Sequence, residues 1–333
     1  MCIQQYRCGS KWQVLAIEQV SEYINLLNAI CQKNGNPITF TSKDFKRELY
    51  ISKGKKIWQA SDEGYEKIDR WLFKHFPDLK QRESIRAFRF LPYSRFDELF
   101  RSHSLRMSSM AANWKFNGPG EYKEYFKAIS LNYDKSAVAE TAAHTFLLCF
   151  TSDWNQRYMW ENYVNNYGGF CLEVDIIPKG RKNRFWNFRE VSYKDPCNYK
   201  FIANIIDEFK REYDLDVILP WSSFACIYKG PRFSKEKEVR IYISEDAAGV
   251  NVFREMYARA IGGYHKTKSY VDEDGATYFY MDMPLDNDLF KINIKKVYLG
   301  TRISPEDLNQ KETILHNQGF KSEKICMCDP RLV

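Results

Sequence analysis

The stretch from Thr145 to Asp175, TFLLCFTSDWNQRYMWENYVNNYGGFCLEVD, constrains the fold of this chain most. Phe146 to Phe150 is an apolar run of strand length that stops at Thr151-Ser152. After a polar turn, helical spacing puts Met159, Tyr163 and Tyr167 near one face, with Trp160 beside it. Gly168 and Gly169 permit a sharp turn into a second strand, Phe170 to Val174. Hydroxyls and Trp154, expected to be exposed, therefore sit at a strand end, where backbone groups run out of ladder partners. Aromatic rings and hydroxyls around such a turn suit a flat ligand. A core helix packed on a sheet has the same spacing.

The flanking pattern is mixed. Apolar periodicity predicts a helix over Lys11 to Asn34, strands at Ile38 to Phe40 and Glu48 to Ser52, and a strand Ile57 to Ala60 paired across Lys53-Gly54-Lys55. A helix from Glu63 to Phe76 ends before Pro77. Residues 1–82 read as a small α+β module and 83–333 as a larger α+β domain. The larger domain reads as strand Ile85 to Phe90, helix Ser94 to Ser102, strand Leu105 to Met107, a loop Ser108 to Glu121 and a helix Lys135 to Ala143. Beyond the unit described above, a strand Glu190 to Tyr193 and helices Tyr199 to Tyr213 and Asp216 to Tyr228 are expected. Strands Val239 to Ile243, Tyr278 to Met283 and Ile294 to Leu299 follow, then a helix from Ser304 to Gln318-Gly319 and a strand Lys324 to Met327. Irregular alternation of this kind predicts an α+β fold: a mixed, antiparallel-rich split sheet flanked by helices.

With 44% hydrophobic and 28% charged residues in 333, the chain is an ordinary soluble globular one. Aromatics, at 16%, are in surplus. They fill cores, and they line pockets for bases and sugars. A net charge of +7 suits an anionic partner such as a nucleotide, RNA, DNA or phosphate, and equally a solvated basic surface. The 9 cysteines form no CxxC pair or Cys/His cluster, and no two of the 5 histidines lie at ligand spacing, so no metal is expected. Cys149 and Cys171 have no local partner that would make either a nucleophile. An odd cysteine count, the lack of a secretory leader and of any apolar run near the ~20 residues of a membrane span predict a cytoplasmic protein without a membrane partner. No GxGxxG, P-loop, GxSxG or HExxH occurs.

Four constellations could carry chemistry. Glu236 and Glu238 stand two apart at the mouth of a strand, where extended chain points both the same way. A glutamate there could hold a ribose hydroxyl and stabilise positive charge at an anomeric carbon. A solvated strand end among lysines gives the same string. Arg89, between Phe88 and Phe90, would offer a bidentate fork to a phosphate or carboxylate, or to a structural ion pair. The loop from Ser108 to Glu121 carries Asn-Gly-Pro-Gly with Trp114 and Phe116, and its hydroxyls, Ser108 included, could close over a ligand. Lys179 to Arg189 interleaves bases and aromatics, which makes Arg181, Lys182, Arg184 and Trp186 candidates for holding single-stranded nucleic acid.

Several segments, in order, resemble the bacterial domain-of-unknown-function family 2971. They are Phe88-Arg89-Phe90-Leu91, Leu105-Arg106-Met107-Ser108, Phe116-Asn117-Gly118-Pro119, Cys149-Phe150-Thr151-Ser152, Met159-Trp160-Glu161-Asn162-Tyr163, Gly169 through Asp175, Lys237-Glu238-Val239-Arg240 and Val297-Tyr298-Leu299-Gly300. Gly118 stands where the family usually has Asp, and Val239 where it often has Trp. The resemblance covers Ile85 onward and implies an anti-phage or toxin-type role, since members often neighbour bacterial immunity genes. The motif layout is similar to ADP-ribosyltransferase folds, which implies NAD as substrate. On that layout Arg89 would hold the NAD phosphates or ribose, and Thr151 and Ser152 would shape the nicotinamide pocket, with Ser108 a further candidate for binding NAD. Trp160 or Tyr163 would stack on nicotinamide, and Glu238, with Glu236 beside it, would sit by the ribose.

Three readings result. The first is an NAD-consuming ADP-ribosyltransferase-like enzyme modifying nucleic acid or protein. The second is a non-catalytic nucleic-acid-binding or sensing module of a defence system. The third is a magnesium-dependent nuclease using Glu236, Glu238 and Asp175.

Overall fold

The computed structural model describes residues 11–52, 55–72, 74, 76, 78–112, 145–154, 157–164, 166–181, 186–194, 200–218, 225–244, 268–271 and 275–328. The expected helix Lys135 to Ala143, most of the Ser108 to Glu121 loop, and Lys182 and Arg184 lie outside the described residues. The elements begin with β1 (Lys11–Val14), α1 (Ile17–Lys33), β2 (Phe45–Ser52), β3 (Lys55–Ala60), α2 (Asp62–Leu72), β4 (Ile85–Pro92), α3 (Phe96–Ser102) and β5 (Ser104–Ser109). Next come β6 (Thr145–Thr151), α4 (Arg157–Asn162), β7 (Gly169–Pro178), β8 (Trp186–Glu190), α5 (Lys200–Tyr213) and β9 (Leu215–Ile218). The chain continues with β10 (Glu238–Ser244), β11 (Lys268–Val271), β12 (Thr277–Pro284), β13 (Phe290–Gly300), α6 (Pro305–Asn317) and β14 (Ile325–Cys328). The fold is α+β, with mixed and mostly antiparallel sheets, as the order of elements predicts.

Contacts divide the chain into two compact units, residues 1–76, 122–133 and 195–225 in one and the remainder in the other. The smaller unit holds a four-stranded sheet in the order β1-β2-β3-β9. Its centre is the fully buried Trp58, whose ring stacks on Phe45 at 4.1 Å and meets Tyr23 of α1 at 5.2 Å and Phe209 of α5 at 5.8 Å. The indole N–H donates to the Lys46 carbonyl at 2.9 Å. Two expectations change here. The segment after Tyr213 is strand, because Leu215 and Val217 are buried on alternate positions and pair in parallel with β3. That pairing also carries α5 and β9 into the small unit, although they stand far beyond Arg82 in sequence. The first predicted helix opens instead as β1, which pairs with β2 through Lys11 to Val14.

The larger unit is built on a ten-stranded sheet with the path β11-β12-β5-β6-β4-β7-β13-β14, and β10 joins β6 to β8. Side chains alternate across each strand, so each strand gives one set to each face. Phe146, Leu148 and Phe150 of β6, Val239, Ile241 and Ile243 of β10, and Leu172, Val174 and Ile176 of β7 all enter one apolar core, with Phe96, Leu99 and Phe100 of α3. The opposite face carries a smaller cluster at β4, β7 and β13, where Phe88, Cys171 and Tyr298 meet Trp160, Val164 and Tyr167. The turn between α4 and β7 takes its left-handed residues from Asn166 (φ 55°) and Tyr167 (φ 69°), not from the Gly-Gly pair. Gly169 is required for another reason. A Cβ there would stand 2.4 Å from the Leu91 carbonyl oxygen and 2.8 Å from Val164 Cβ.

The split in the sheet lies along one edge of β6. There β6 pairs with β5 at Ser108↔Leu147 and Ser109↔Phe146, and with β4 at Phe88↔Thr151. Between those points β4 and β5 diverge, which leaves ladder carbonyls without strand partners. Arg89 fills the fork. Its Nη1 donates to the Cys149 carbonyl at 2.6 Å and its Nη2 to the Arg106 carbonyl at 3.2 Å, with the guanidinium over the Phe150 ring. The sequence reading offered this fork to a ligand phosphate; the backbone of the sheet uses it instead. Replacing Arg89 with Met should destabilise the fold by about 2 kcal/mol, because two carbonyls lose their donors. Urea denaturation measures this, and a ligand-binding arginine at the surface would leave the midpoint unchanged.

Candidate functional site

Register relates the polar side chains of the large sheet. Glu238 pairs with Thr151, Arg240 with Cys149 and Tyr242 with Leu147. Leu147 pairs with Ser108, and Ser108 with Tyr280. On the other side of β10, Arg240 faces Arg189 and Tyr242 faces Asn187. Paired residues share a face, so all of these lie opposite the apolar core. Where most sheets cover the second face with apolar side chains or leave it to water, this one buries charge.

Four charged side chains form the centre. Lys229, Glu236, Glu238 and Arg240 are 2%, 2%, 6% and 1% exposed. Lys229 Nζ contacts a carboxylate oxygen of Glu236 and reaches Glu238 Oε2 at 2.9 Å. Arg240 grips Glu238 through Nε at 2.7 Å and Nη2 at 3.1 Å, while its Nη1 donates to the Cys226 carbonyl at 2.6 Å. The Tyr163 hydroxyl donates to Glu236 Oε1 at 2.5 Å. The Glu238 N–H donates to the Tyr193 hydroxyl at 2.8 Å. Glu236 is not in the strand. It ends a 3-10 turn, Pro231–Glu236, and Lys237 in the left-handed region (φ 44°) turns the chain into β10. The two glutamates therefore converge on one ammonium rather than merely pointing the same way.

The two carboxyls differ in acidity. Burial works against an ionised Glu238, but Arg240 and Lys229 outweigh it and hold its pKa well below the usual carboxylate range. Burial raises Glu236 from its ordinary value against the pull of Lys229 and Tyr163, and the neighbouring Glu238 adds to the rise. Burial likewise raises Tyr163 and Tyr193, so both keep their hydroxyl protons. The Cys149 thiol is pushed up by burial and by Glu238, and Cys171 by burial, which keeps both out of the thiolate form a nucleophile needs.

The sequence-predicted residues separate into groups. Glu236, Glu238 and Tyr163 come together, Thr151 pairs with Glu238, and Ser108 lies on the same face two strands away. Arg89 does not join them. It alternates with Phe88 and Phe90, which lie on the polar side, and packs over Phe150 of the apolar core. Trp160 is fully buried, parallel to Tyr167 at 5.3 Å, with its N–H on the Trp154 carbonyl at 3.1 Å, so it is a core residue and has no free ring face. Trp154 is half-buried and stacked on Tyr298 at 4.5 Å. Ser152 is exposed, its N–H on the Lys237 carbonyl at 3.1 Å. The basic-aromatic string contains β8. Trp186 and Phe188 enter the apolar core and the Trp186 N–H donates to Gly180, so Trp186 cannot stack on a base. Arg181 is exposed and donates to the Arg82 carbonyl at 3.3 Å. Asp175 is engaged by Lys295 at 3.4 Å on β7, away from Glu236 and Glu238. Among the described residues, no group of three or more His, Cys, Asp or Glu side chains is arranged to hold a metal ion, and no helix is long and apolar enough to cross a membrane.

Sequence reasoning missed Arg240 and Lys229. Arg240 was accessible, since the alternation that buries Val239, Ile241 and Ile243 puts it on the Glu238 face. Lys229 has no such signal, because its approach depends on a bridge between Ser192 and Tyr228.

Residues 159–241 match the model of a family described as Protein of unknown function (DUF2971). The match supports the family resemblance over a stretch that contains Tyr163, Lys229, Glu236, Glu238 and Arg240. No curated protein and no solved structure matches the chain.

Glu238→Gln should cost about 3–5 kcal/mol at pH 7, because Arg240 and Lys229 lose their charge partner in a buried setting. A depressed pKa stabilises the fold above the ordinary value of roughly 4.3, and that contribution is lost as pH falls below it. The gap between wild type and variant in urea denaturation should therefore narrow from pH 7 to pH 3.

Proposed function

We propose that the polar face of the large sheet breaks the nicotinamide–ribose bond of NAD and transfers ADP-ribose to an acceptor, as an effector in bacterial defence. The observation that carries this reading is a pair of glutamates on one lysine whose acidities are driven in opposite directions. Opposed carboxyls divide the labour of glycosidic chemistry. The family resemblance supplies the expectation of an ADP-ribosyltransferase layout and of a defence role.

In this reading the bond electrons leave with the ring nitrogen, which neutralises the pyridinium. Positive charge develops at the anomeric carbon, and the Glu238 carboxylate stabilises it. Glu236, raised toward neutrality, takes the acceptor's proton as that atom bonds to the anomeric carbon. Tyr163 and Lys229 orient Glu236. The cluster sets two cations against two carboxylates, so with Glu236 ionised as the base its charges balance. Both carboxylates are covered in the unliganded chain. A substrate reaches them when the Pro231–Glu236 turn shifts, with Tyr163 kept on Glu236 through its hydroxyl. Arg89 and Trp160 have no part in this mechanism.

The purified chain should release nicotinamide from NAD in the presence of protein, RNA or DNA acceptors. Glu238→Gln should lower the rate at least about 100-fold. Tyr163→Phe, which leaves the buried ion pairs intact, should lower it about tenfold, with the denaturation midpoint little changed. The rate should fall as pH drops through the raised Glu236 pKa. Equal release by wild type and Tyr163→Phe, or no release with any acceptor, contradicts the proposal.

A further inference from the structure

We infer that the edge of the same polar face, at β11, β12 and β5, is a binding platform for single-stranded nucleic acid. The registers Lys268↔Tyr280, Tyr270↔Tyr278, Tyr280↔Ser108 and Asp282↔Arg106 put three tyrosines, two cations and a serine on the face that carries Glu238. Tyr270 stands 5.6 Å from Tyr278 and 6.1 Å from Tyr280, ring centre to ring centre. All three are half-buried, so part of each ring meets solvent. The Arg106 guanidinium lies over Tyr280 at 3.8 Å, and Lys268 is exposed beside Asp282 at 2.7 Å.

Cross-strand tyrosine pairs also occur as plain sheet stabilisers. Three features go beyond that. The tyrosines stand at the end of the described sheet, where β11 is the last strand. Arg95, Arg106 and Lys268 against Glu98 and Asp282 leave one positive charge in excess, which complements a phosphate backbone. The three rings are also partly exposed. A free nucleotide needs an enclosing cleft to bury most of its surface, whereas a strand binds by successive stacking on exposed rings with cations along its backbone. Strands lie about 4.8 Å apart and residues rise about 3.4 Å along a strand, so Tyr280, three strands from β10 and level with Leu147 rather than Thr151, is roughly 20 Å from Glu238. That distance lets a bound strand reach toward the carboxylates. The inference thus names nucleic acid as the acceptor class and rests on the proposed transfer only for that role. Binding itself stands apart from catalysis.

Fluorescence anisotropy of the full chain with labelled oligo-uridine and oligo-thymidine, without NAD, tests it. Affinity should fall steeply between about 50 and 200 mM salt. Tyr270→Ala combined with Tyr278→Ala should weaken binding at least about tenfold, the same positions as Phe should preserve it, and Lys268→Gln should flatten the salt dependence. The inference is overturned by an alanine pair that binds like wild type, by no binding at low salt, or by free ADP-ribose that competes as well as the oligonucleotide. Because NAD is absent from the assay, these outcomes are independent of whether the chain turns NAD over.

Discussion

Lys229 is the interaction on which the polar face depends. Its ammonium is almost wholly out of water and touches both Glu236 and Glu238. Its backbone N–H donates to Ser192 at 3.0 Å, and its ammonium stands 5.3 Å from the Phe233 ring. Without that cation, two carboxylates on either side of a left-handed Lys237 would repel each other in a low-dielectric setting. One of them would have to leave the sheet or stay protonated. The Tyr163 hydroxyl meets the same Glu236, and Arg240 grips the same Glu238, from the other sides.

Burying charge is expensive, and a buried ion network seldom adds stability beyond what an apolar replacement would supply. The large sheet already has a complete apolar core on its other face, from Phe146 and Leu148 through Val239 and Ile241 to Leu172 and Val174. An apolar core and a cluster of buried charge are thus assigned to opposite sides of the same strands. Arg89 lies on the first side, where it closes the fork between β4 and β5. Glu238 lies on the second. Residues two steps apart in one strand bond to each other here, while Arg89, which alternates out of phase, gives its hydrogen bonds to the Cys149 and Arg106 carbonyls.

The strands around the site could be read from the chain because their apolar positions repeat every second residue. The same rule puts Arg240 on the Glu238 face, whereas the pairing of Glu238 with Thr151 is seen only in the register of β10 on β6. Periodicity alone did not reveal the divergence of β4 and β5, so the fork of Arg89 looked free when it was needed by the Cys149 and Arg106 carbonyls. Trp160 and Trp186 were misjudged for a related reason. Aromatic richness shows neither which ring faces are covered, as Tyr167 covers Trp160, nor that Trp186 and Phe188 alternate into a core. Asp216 to Ile218 read as helix because the strand they pair with, β3, lies more than a hundred residues earlier. Lys229 depended on long-range geometry entirely, and no local pattern could have announced it.

The central claim is that one lysine holds two glutamates in opposite protonation environments. Carbon NMR of the chain with labelled glutamate carboxyls, assigned through Glu236→Gln and Glu238→Gln, measures this directly as a function of pH. The account predicts that the Glu236 resonance titrates above its ordinary value while that of Glu238 stays ionised through the ordinary carboxylate range. Two resonances that titrate together near the ordinary value would show exposed, independent side chains and contradict the account.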